Sequence, residues 1–256
     1  MFEETREYKN FTDVIRHCQK IIKKKYPDIK LICSECGCSN GFYRPTTEKP
    51  FCDYCWNKVK SRELLKARKK NPGEFLKYCN VPEKYINYDF SFYKTNFKYL
   101  NELKKYAHLS QLYDLLLRGK SGHGKTGISI CILKELIQRG CDYKKIFYIT
   151  ENDLKNKLIR LQNNRKDYDF FLNQIYNYNF LIYDEIANYK PSDFVIVMTK
   201  ELIDYRQDNN KTTLLITNLD PEITFKFYGS PFASRLNTFE KMVIESQDFR
   251  KKCDKN

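Results

Sequence analysis

Eight consecutive residues, Gly119-Lys120-Ser121-Gly122-His123-Gly124-Lys125-Thr126, have the types and spacing needed to hold a polyphosphate. Glycine in such a loop lets backbone N–H groups close around phosphate oxygens, and the N-terminus of a following helix adds the positive end of its dipole. Lys125 would neutralise terminal phosphate charge and the Thr126 hydroxyl would ligate magnesium, so ATP with Mg2+ is the expected ligand. The flanking sequence supports this. Leu115 to Leu117 is strand-like, and Lys125 to Arg139 is helical in pattern, ending at Gly140. His123 has no evident role in the pattern, and Gly127 completes the set of expected nucleotide contacts.

Hydrolysis needs a carboxylate on the metal side and a group that orients the attacking water. Phe180 to Tyr183 is an apolar strand candidate ending in Asp184-Glu185, about 60 residues beyond the loop. Asp184 is expected to hold the magnesium shell and Glu185 to polarise the water. A third run, Thr212 to Thr217, ends in Asn218. In a parallel sheet the strand C-termini line one crevice, so Asn218 would lie beside Asp184 and the loop. Two readings of it stay open: a reader of the γ-phosphate or the water, or a turn residue before Leu219-Asp220-Pro221.

Cysteine supplies the second chemistry. Cys33-x2-Cys36 and Cys52-x2-Cys55, with fifteen residues between the pairs, have the spacing of a four-thiolate zinc site. Each pair lets two sulfurs of one turn face one ion, and closed ligation makes the ion structural. Cys38 is an alternative ligand. A redox C-x-x-C is the competing reading, disfavoured by the presence of two pairs. Cys79, Cys131, Cys141 and Cys253 read as packing or surface residues, and His17 and Cys18 as helix-face residues.

These groups need a scaffold of two parts. Residues 1–60 would form an N-terminal helix, with Phe11, Val14, Ile15, Cys18, Ile21 and Ile22 at helical spacing, and the cysteine module. Residues 61–80 would form a charged linker helix, closing at Pro72-Gly73. From 81 to 256, strand candidates at Leu115–Leu117, Ile146–Ile149, Phe180–Tyr183, Thr213–Ile216 and Met242–Ile244 alternate with helical runs at Lys125–Arg139, Asp153–Gln162, Tyr168–Tyr176 and Asp193–Gln207. That alternation predicts an α/β domain, a mostly parallel five-stranded sheet covered by helices on both faces. The 46 Lys and Arg against 32 Asp and Glu leave a charge of +14, which favours a polyanionic partner such as nucleic acid. No run approaches the roughly 18 apolar residues of a membrane span, and MFEETREYKN has no signal-peptide core, so a cytoplasmic protein with no membrane partner is expected.

Taken together, these parts resemble the DnaC/DnaI family of replicative helicase loaders, AAA+ ATPases related to the IstB transposition ATPases. The resemblance rests on Val81-Pro82-Glu83-Lys84-Tyr85, the phosphate loop, Asp184-Glu185, Thr217-Asn218, the run Tyr228-Gly229-Ser230-Pro231-Phe232-Ala233-Ser234-Arg235-Leu236 and Gln247-Asp248-Phe249-Arg250. It implies a three-layer AAA+ P-loop sandwich without a full helical lid. It also implies that Arg235 is an arginine finger acting on ATP held by a neighbouring subunit, that Arg250 is a second nucleotide sensor, and that ATP-dependent oligomers form. The implied activity is ATP hydrolysis at low intrinsic turnover. The implied partners are a hexameric replicative DNA helicase, gripped by the zinc module, and single-stranded DNA, bound by the core. One DNA contact would be the insertion at about Asp153 to Tyr178, where Lys155, Lys157, Arg160, Arg165 and Lys166 lie among Tyr168, Phe170 and Phe171. Gly127 departs from the family, which often has His or another polar group after the loop threonine. Two other functions fit the same motifs: an IstB-like transposition-targeting ATPase, and a zinc-ribbon adaptor with an idle ATPase.

Overall fold

The computed structural model describes residues 31–43, 49–93, 99–188 and 190–245, so the helix expected near the N-terminus and Arg250 lie outside the described residues. The chain divides into two compact units, 1–66 and 67–256.

In the first unit, β1 (Phe42–Tyr43) and β2 (Pro50–Phe51) form an antiparallel hairpin. Helix α1 (Asp53–Lys70) follows at once, so it begins within the second cysteine pair and eight residues before the expected linker helix. Asp53 in its first turn and Arg68, Lys69 and Lys70 in its last suit the helix dipole. The division between units falls inside this helix.

The second unit is built on a five-stranded sheet. Its strands are β3 (Leu115–Arg118), β4 (Ile146–Thr150), β5 (Phe180–Ile186), β6 (Thr212–Thr217) and β7 (Glu240–Val243), in the order β4-β5-β6-β3-β7. All four pairings are parallel, where a mostly parallel sheet was expected. Strands β3 to β6 are largely apolar on both faces because helices cover both, whereas the edge strand β7 opens with exposed Glu240 and Lys241. Leu115 and Leu117 of β3 face a core shared with α4 (Lys125–Gln138) and α3 (Leu100–Ala107), while Leu116 faces the core beneath the helices of the opposite layer. That layer consists of α5 (Glu151–Leu161), α6 (Arg165–Asn177), α7 (Asp193–Asp208) and α8 (Pro221–Leu236).

One expectation is corrected. The linker helix over 61–80 is not one element: Pro72-Gly73 opens a helix, α2 (Pro72–Leu76), and Phe75, Leu76 and Cys79 are buried in the core of the second unit. Proline at the first helical turn loses no hydrogen bond, so there it starts a helix as readily as it stops one. Helix α3 is a further element, with Leu100, Leu103, Tyr106 and Ala107 on one buried face. Helix α8 is interrupted at Gly229 (φ 78°), one residue before Ser230-Pro231.

A buried arginine ties the layers together. Arg206 of α7 donates to the Thr213 hydroxyl at 2.8 Å and to the carbonyls of Ile175, Tyr176, Tyr178 and Thr212 at 2.6–3.2 Å. Three of those carbonyls belong to the end of α6, which the guanidinium caps. Burial pulls its pKa down to about 9, still above neutrality, so it carries its charge into the interior.

Candidate functional site

The loop between β3 and α4 has the form expected of a phosphate cradle. Gly122 and Gly124 both have φ 83°, and Gly119 has φ 151°. A Cβ on Gly119 would lie 2.3 Å from the Ile244 carbonyl oxygen beyond β7, so no other residue fits beneath the loop. The Lys125 ammonium folds back along the loop, donating to the carbonyls of Gly119 (2.7 Å) and Lys120 (2.9 Å) and to Asn218 Oδ1 (2.5 Å). His123 is held through Nδ1 against the Ile244 carbonyl at 3.3 Å, so its contact is with the end of the β7 strand.

The acid strand meets this loop edge on. Thr126 Oγ1 donates to Asp184 Oδ2 at 2.7 Å, Tyr148 donates to the same oxygen at 3.0 Å, and the Glu185 amide donates to Oδ1 at 2.6 Å. Asp184 is buried, and burial raises its pKa against the lowering by these hydrogen bonds. The strand register breaks between Tyr183 and Ile186, and Glu185 takes a left-handed φ of 60°. This irregularity turns Glu185 outward while Asp184 stays buried, a use of a bulge to re-aim one side chain. Asn218 donates to Asn188 Oδ1 at 2.6 Å, while its own oxygen receives the Lys125 ammonium. Asn218 is thus beside the loop, where a parallel sheet was expected to put it, because β6 lies between β3 and β5.

A cavity of about 660 Å³ opens above these groups, lined by Ser121, Gly122, Gly124, Lys125, Thr126, Asp184, Glu185, Asn188 and Asn218. Its far wall was not legible in the sequence. Tyr85, Tyr88, Phe92 and Tyr93 form a chain of rings, with Tyr88 stacked on Phe92 at 4.6 Å and edge contacts of 5.2 Å (Tyr85–Tyr88) and 5.7 Å (Phe92–Tyr93). Aromatic faces beside a phosphate cradle offer a stacking surface for a base. This wall also accounts for Gly127. A Cβ there would lie 2.2 Å from the Tyr93 hydroxyl and 2.9 Å from the Tyr88 ring, so the side chain absent from Gly127 is replaced by the two tyrosines.

Arg235 does not line this cavity. It lies near the end of α8 and is paired with Asp204 at 2.8 Å and Asp208 at 3.5 Å, both on α7.

In the first unit, the sulfurs of Cys33, Cys36, Cys52 and Cys55 lie within 4.8 Å of one another, and Cys36 and Cys52 are 3.8 Å apart. A tetrahedron with Zn–S bonds of about 2.3 Å has edges of about 3.8 Å, so the four thiols fit one zinc ion. Cys38 is outside this set; its carbonyl accepts from the Cys33 amide at 2.8 Å and shapes the first turn. The Cys52 amide holds the Cys33 thiol down to about 6, which favours the thiolate a metal needs, whereas burial pushes Cys55 up.

Comparison with known proteins places most of the chain in a family. Residues 54–228 match the family described as IstB-like ATP binding protein. Replicative helicase loader DnaC of Escherichia coli K12 is 26% identical over 143 residues, 54% of this chain and 57% of that protein. DnaC of Buchnera aphidicola is 26% identical over 178 residues, 64% of this chain and 71% of that protein. The chain thus spans little more than half the length of the first of these relatives. The DnaC helicase loader crystal structure superposes with a TM-score of 0.58 at 22% identity, covering 64% of this chain and all of that one. AMPPCP-bound DnaA from Aquifex aeolicus superposes with a TM-score of 0.53 at 17% identity, over 65% of this chain and 53% of its own. The second unit has the AAA+ P-loop fold that the sequence led us to expect.

Proposed function

The chain belongs to the IstB-like ATP-binding family, and from that membership we propose that it is an ATP-hydrolysing loader of a hexameric replicative DNA helicase. The observation that carries the ATPase half is the 2.7 Å bond joining Thr126 of the phosphate loop to Asp184 of the acid strand. Those two oxygens are the pair that would share a magnesium ion, which would offset phosphate charge when bound. Lys125 would exchange its loop carbonyls for terminal phosphate oxygens. Glu185, exposed at the rim of the cavity, would orient the attacking water, and Asn218 would report the phosphate to β6 and to Asn188. The aromatic wall at Tyr88 and Phe92 would hold the base.

Arg235 would serve ATP bound by a neighbouring subunit, consistent with its place away from this chain's own cavity. Asp204 and Asp208 would set its direction. Arg250 keeps its role as second sensor on the sequence resemblance. The helicase half draws on the partial likeness to DnaC loaders. The cysteine module, with zinc as its structural ion, would grip the helicase.

The α5–α6 hairpin would contact single-stranded DNA through Lys155, Lys157, Arg160, Arg165 and Lys166. In that hairpin Phe170 is exposed, while Tyr168 and Phe171 pack on the core, so stacking would fall to Phe170. The family description also suits a transposition-targeting ATPase, for which duplex rather than single-stranded DNA would stimulate turnover.

Co-purification of the full chain with its cognate replicative helicase, with and without ATP, tests the loader reading. Association that depends on nucleotide is expected, and failure to associate in either state would refute it.

A further inference from the structure

One surface feature is used by none of the chemistry above. Helix α1 buries little of its surface: between Asp53 and Lys66 only Cys55 is buried, with Trp56 and Val59 packed beside it. A helix with so little apolar face gains little from packing. Its charge is also one-sided in sign, with Lys58, Lys60, Arg62 and Lys66 against Asp53 and Glu63 over those residues.

The arrangement along the helix is more specific than the composition. Tyr54, Lys58, Arg62 and Lys66 recur at intervals of four, which places each about 6 Å beyond the last on one slowly turning stripe. All four are exposed, Tyr54 by 75%. Among the described residues no carboxylate pairs with Lys58, Arg62 or Lys66. Solvated helices commonly alternate sign at this interval, because like charges four apart repel and weaken the helix. Here the repulsion is kept: among the described residues Glu63, three before Lys66, forms no ion pair with it, and nothing relieves the stripe as a whole. A polyanion lying along the stripe would.

We propose that the Tyr54-Lys58-Arg62-Lys66 stripe of α1 binds single-stranded DNA, the three cations following successive phosphates and the exposed Tyr54 ring stacking on a base. Single strands are favoured over duplex because the stripe opens on an exposed aromatic face, which a duplex with its bases stacked inside cannot use. Lys60 is not part of the track; its ammonium lies 5.0 Å over the Trp56 ring on another side of the helix. This contact lies outside the ATPase unit and does not depend on the loader reading.

The test is fluorescence anisotropy of a fluorescein-labelled thymidine oligomer, longer than the roughly 4–16 nucleotides such surfaces cover, titrated with the full chain over a range of salt. Each phosphate contact on a single strand contributes about −0.7 to the slope of log affinity against log salt. The triple variant Lys58→Gln/Arg62→Gln/Lys66→Gln should therefore flatten the slope by about 2, whereas Glu63→Gln on the same helix should not flatten it. Tyr54→Ala should weaken binding about fivefold or more at constant slope. All substitutions are at exposed positions, and unchanged ATP affinity and thermal unfolding confirm the fold.

An unchanged slope in the triple variant overturns the proposal. No effect of Tyr54→Ala, together with equal or tighter binding of a duplex of the same length, overturns the single-strand assignment. A hairpin variant, Lys157→Gln/Arg160→Gln, separates the two DNA contacts: if it alone removes all binding, α1 is not a track, and the loader reading stands untouched.

Discussion

Gly127→Ala is the substitution whose effect the structure specifies most closely. In a helix interior, replacing glycine by alanine normally stabilises by about 1 kcal/mol. Here the new Cβ would meet the Tyr93 hydroxyl at 2.2 Å and the Tyr88 ring at 2.9 Å. Tyr93 is 3% exposed and donates to the Gly124 carbonyl at 3.1 Å, so it cannot swing aside without opening a void and losing that bond. Overpacking costs about 1–3 kcal/mol and the hydrogen bond about 1 kcal/mol, which together outweigh the propensity gain. The net expectation is a loss of about 1–3 kcal/mol in urea unfolding, with ATP affinity falling about fivefold or more as the loop carbonyl and the aromatic wall shift. Tyr93→Phe removes the closest atom of the clash. In a double-mutant cycle, Gly127→Ala should therefore cost less when combined with Tyr93→Phe than alone, with a coupling of about 1 kcal/mol. Additive effects within about 0.5 kcal/mol would refute the claim that the tyrosine occupies the space the glycine vacates.

Other expectations are simpler. Lys125→Ala should abolish ATP binding in a fluorescent-nucleotide titration, and Glu185→Gln should keep binding while slowing phosphate release into solution; a Glu185→Gln variant with full turnover would remove that residue from catalysis. Cys36→Ser, or a strong chelator, should release one zinc per chain by metal analysis and unfold the first unit while leaving ATP binding by the second. Arg206→Met removes the donors to four carbonyls, one of them fully buried, and to a buried hydroxyl, and should cost about 3 kcal/mol or more in denaturant unfolding. Glu151 is buried beneath Tyr228, Thr199 and the Ala187 amide, and burial raises its pKa above the usual 4.5. The folded state then binds its proton more tightly than the unfolded chain. Its contribution is present below about pH 4.5 and lost as pH rises through the higher folded value. Glu151→Gln should flatten that part of the thermal stability profile, and an unchanged profile would show that Glu151 ionises freely in the fold.

Much of the second unit was legible because its signals are contiguous. The loop glycines, Lys125 and Thr126 sit in eight successive residues, and the five apolar runs that became β3 to β7 are bounded by polar turns. The strand limits differ by one to three residues from those expected, and helix α3 gives little signal because its run is short and carries adjacent lysines. Pro72-Gly73 misled because the same dipeptide can stop one helix and open another.

What the sequence by itself determined is chemistry held within a few residues: a phosphate loop, an acidic strand end and two C-x-x-C turns with thiols spaced for one ion. Such groups are brought together by local backbone geometry, so spacing alone reveals them. What only the tertiary structure decided is every contact between distant segments. The order β4-β5-β6-β3-β7 set Asn218 against Lys125, and the turn at Tyr88–Tyr93 closed the cavity over Gly127. Cys38 fell outside the four-sulfur cluster, Arg235 was drawn onto Asp204, and the unit boundary fell inside α1. These depend on which surfaces pack and which strand lies beside which. Close packing makes such contacts specific to within an ångström, and no periodicity along the chain encodes them.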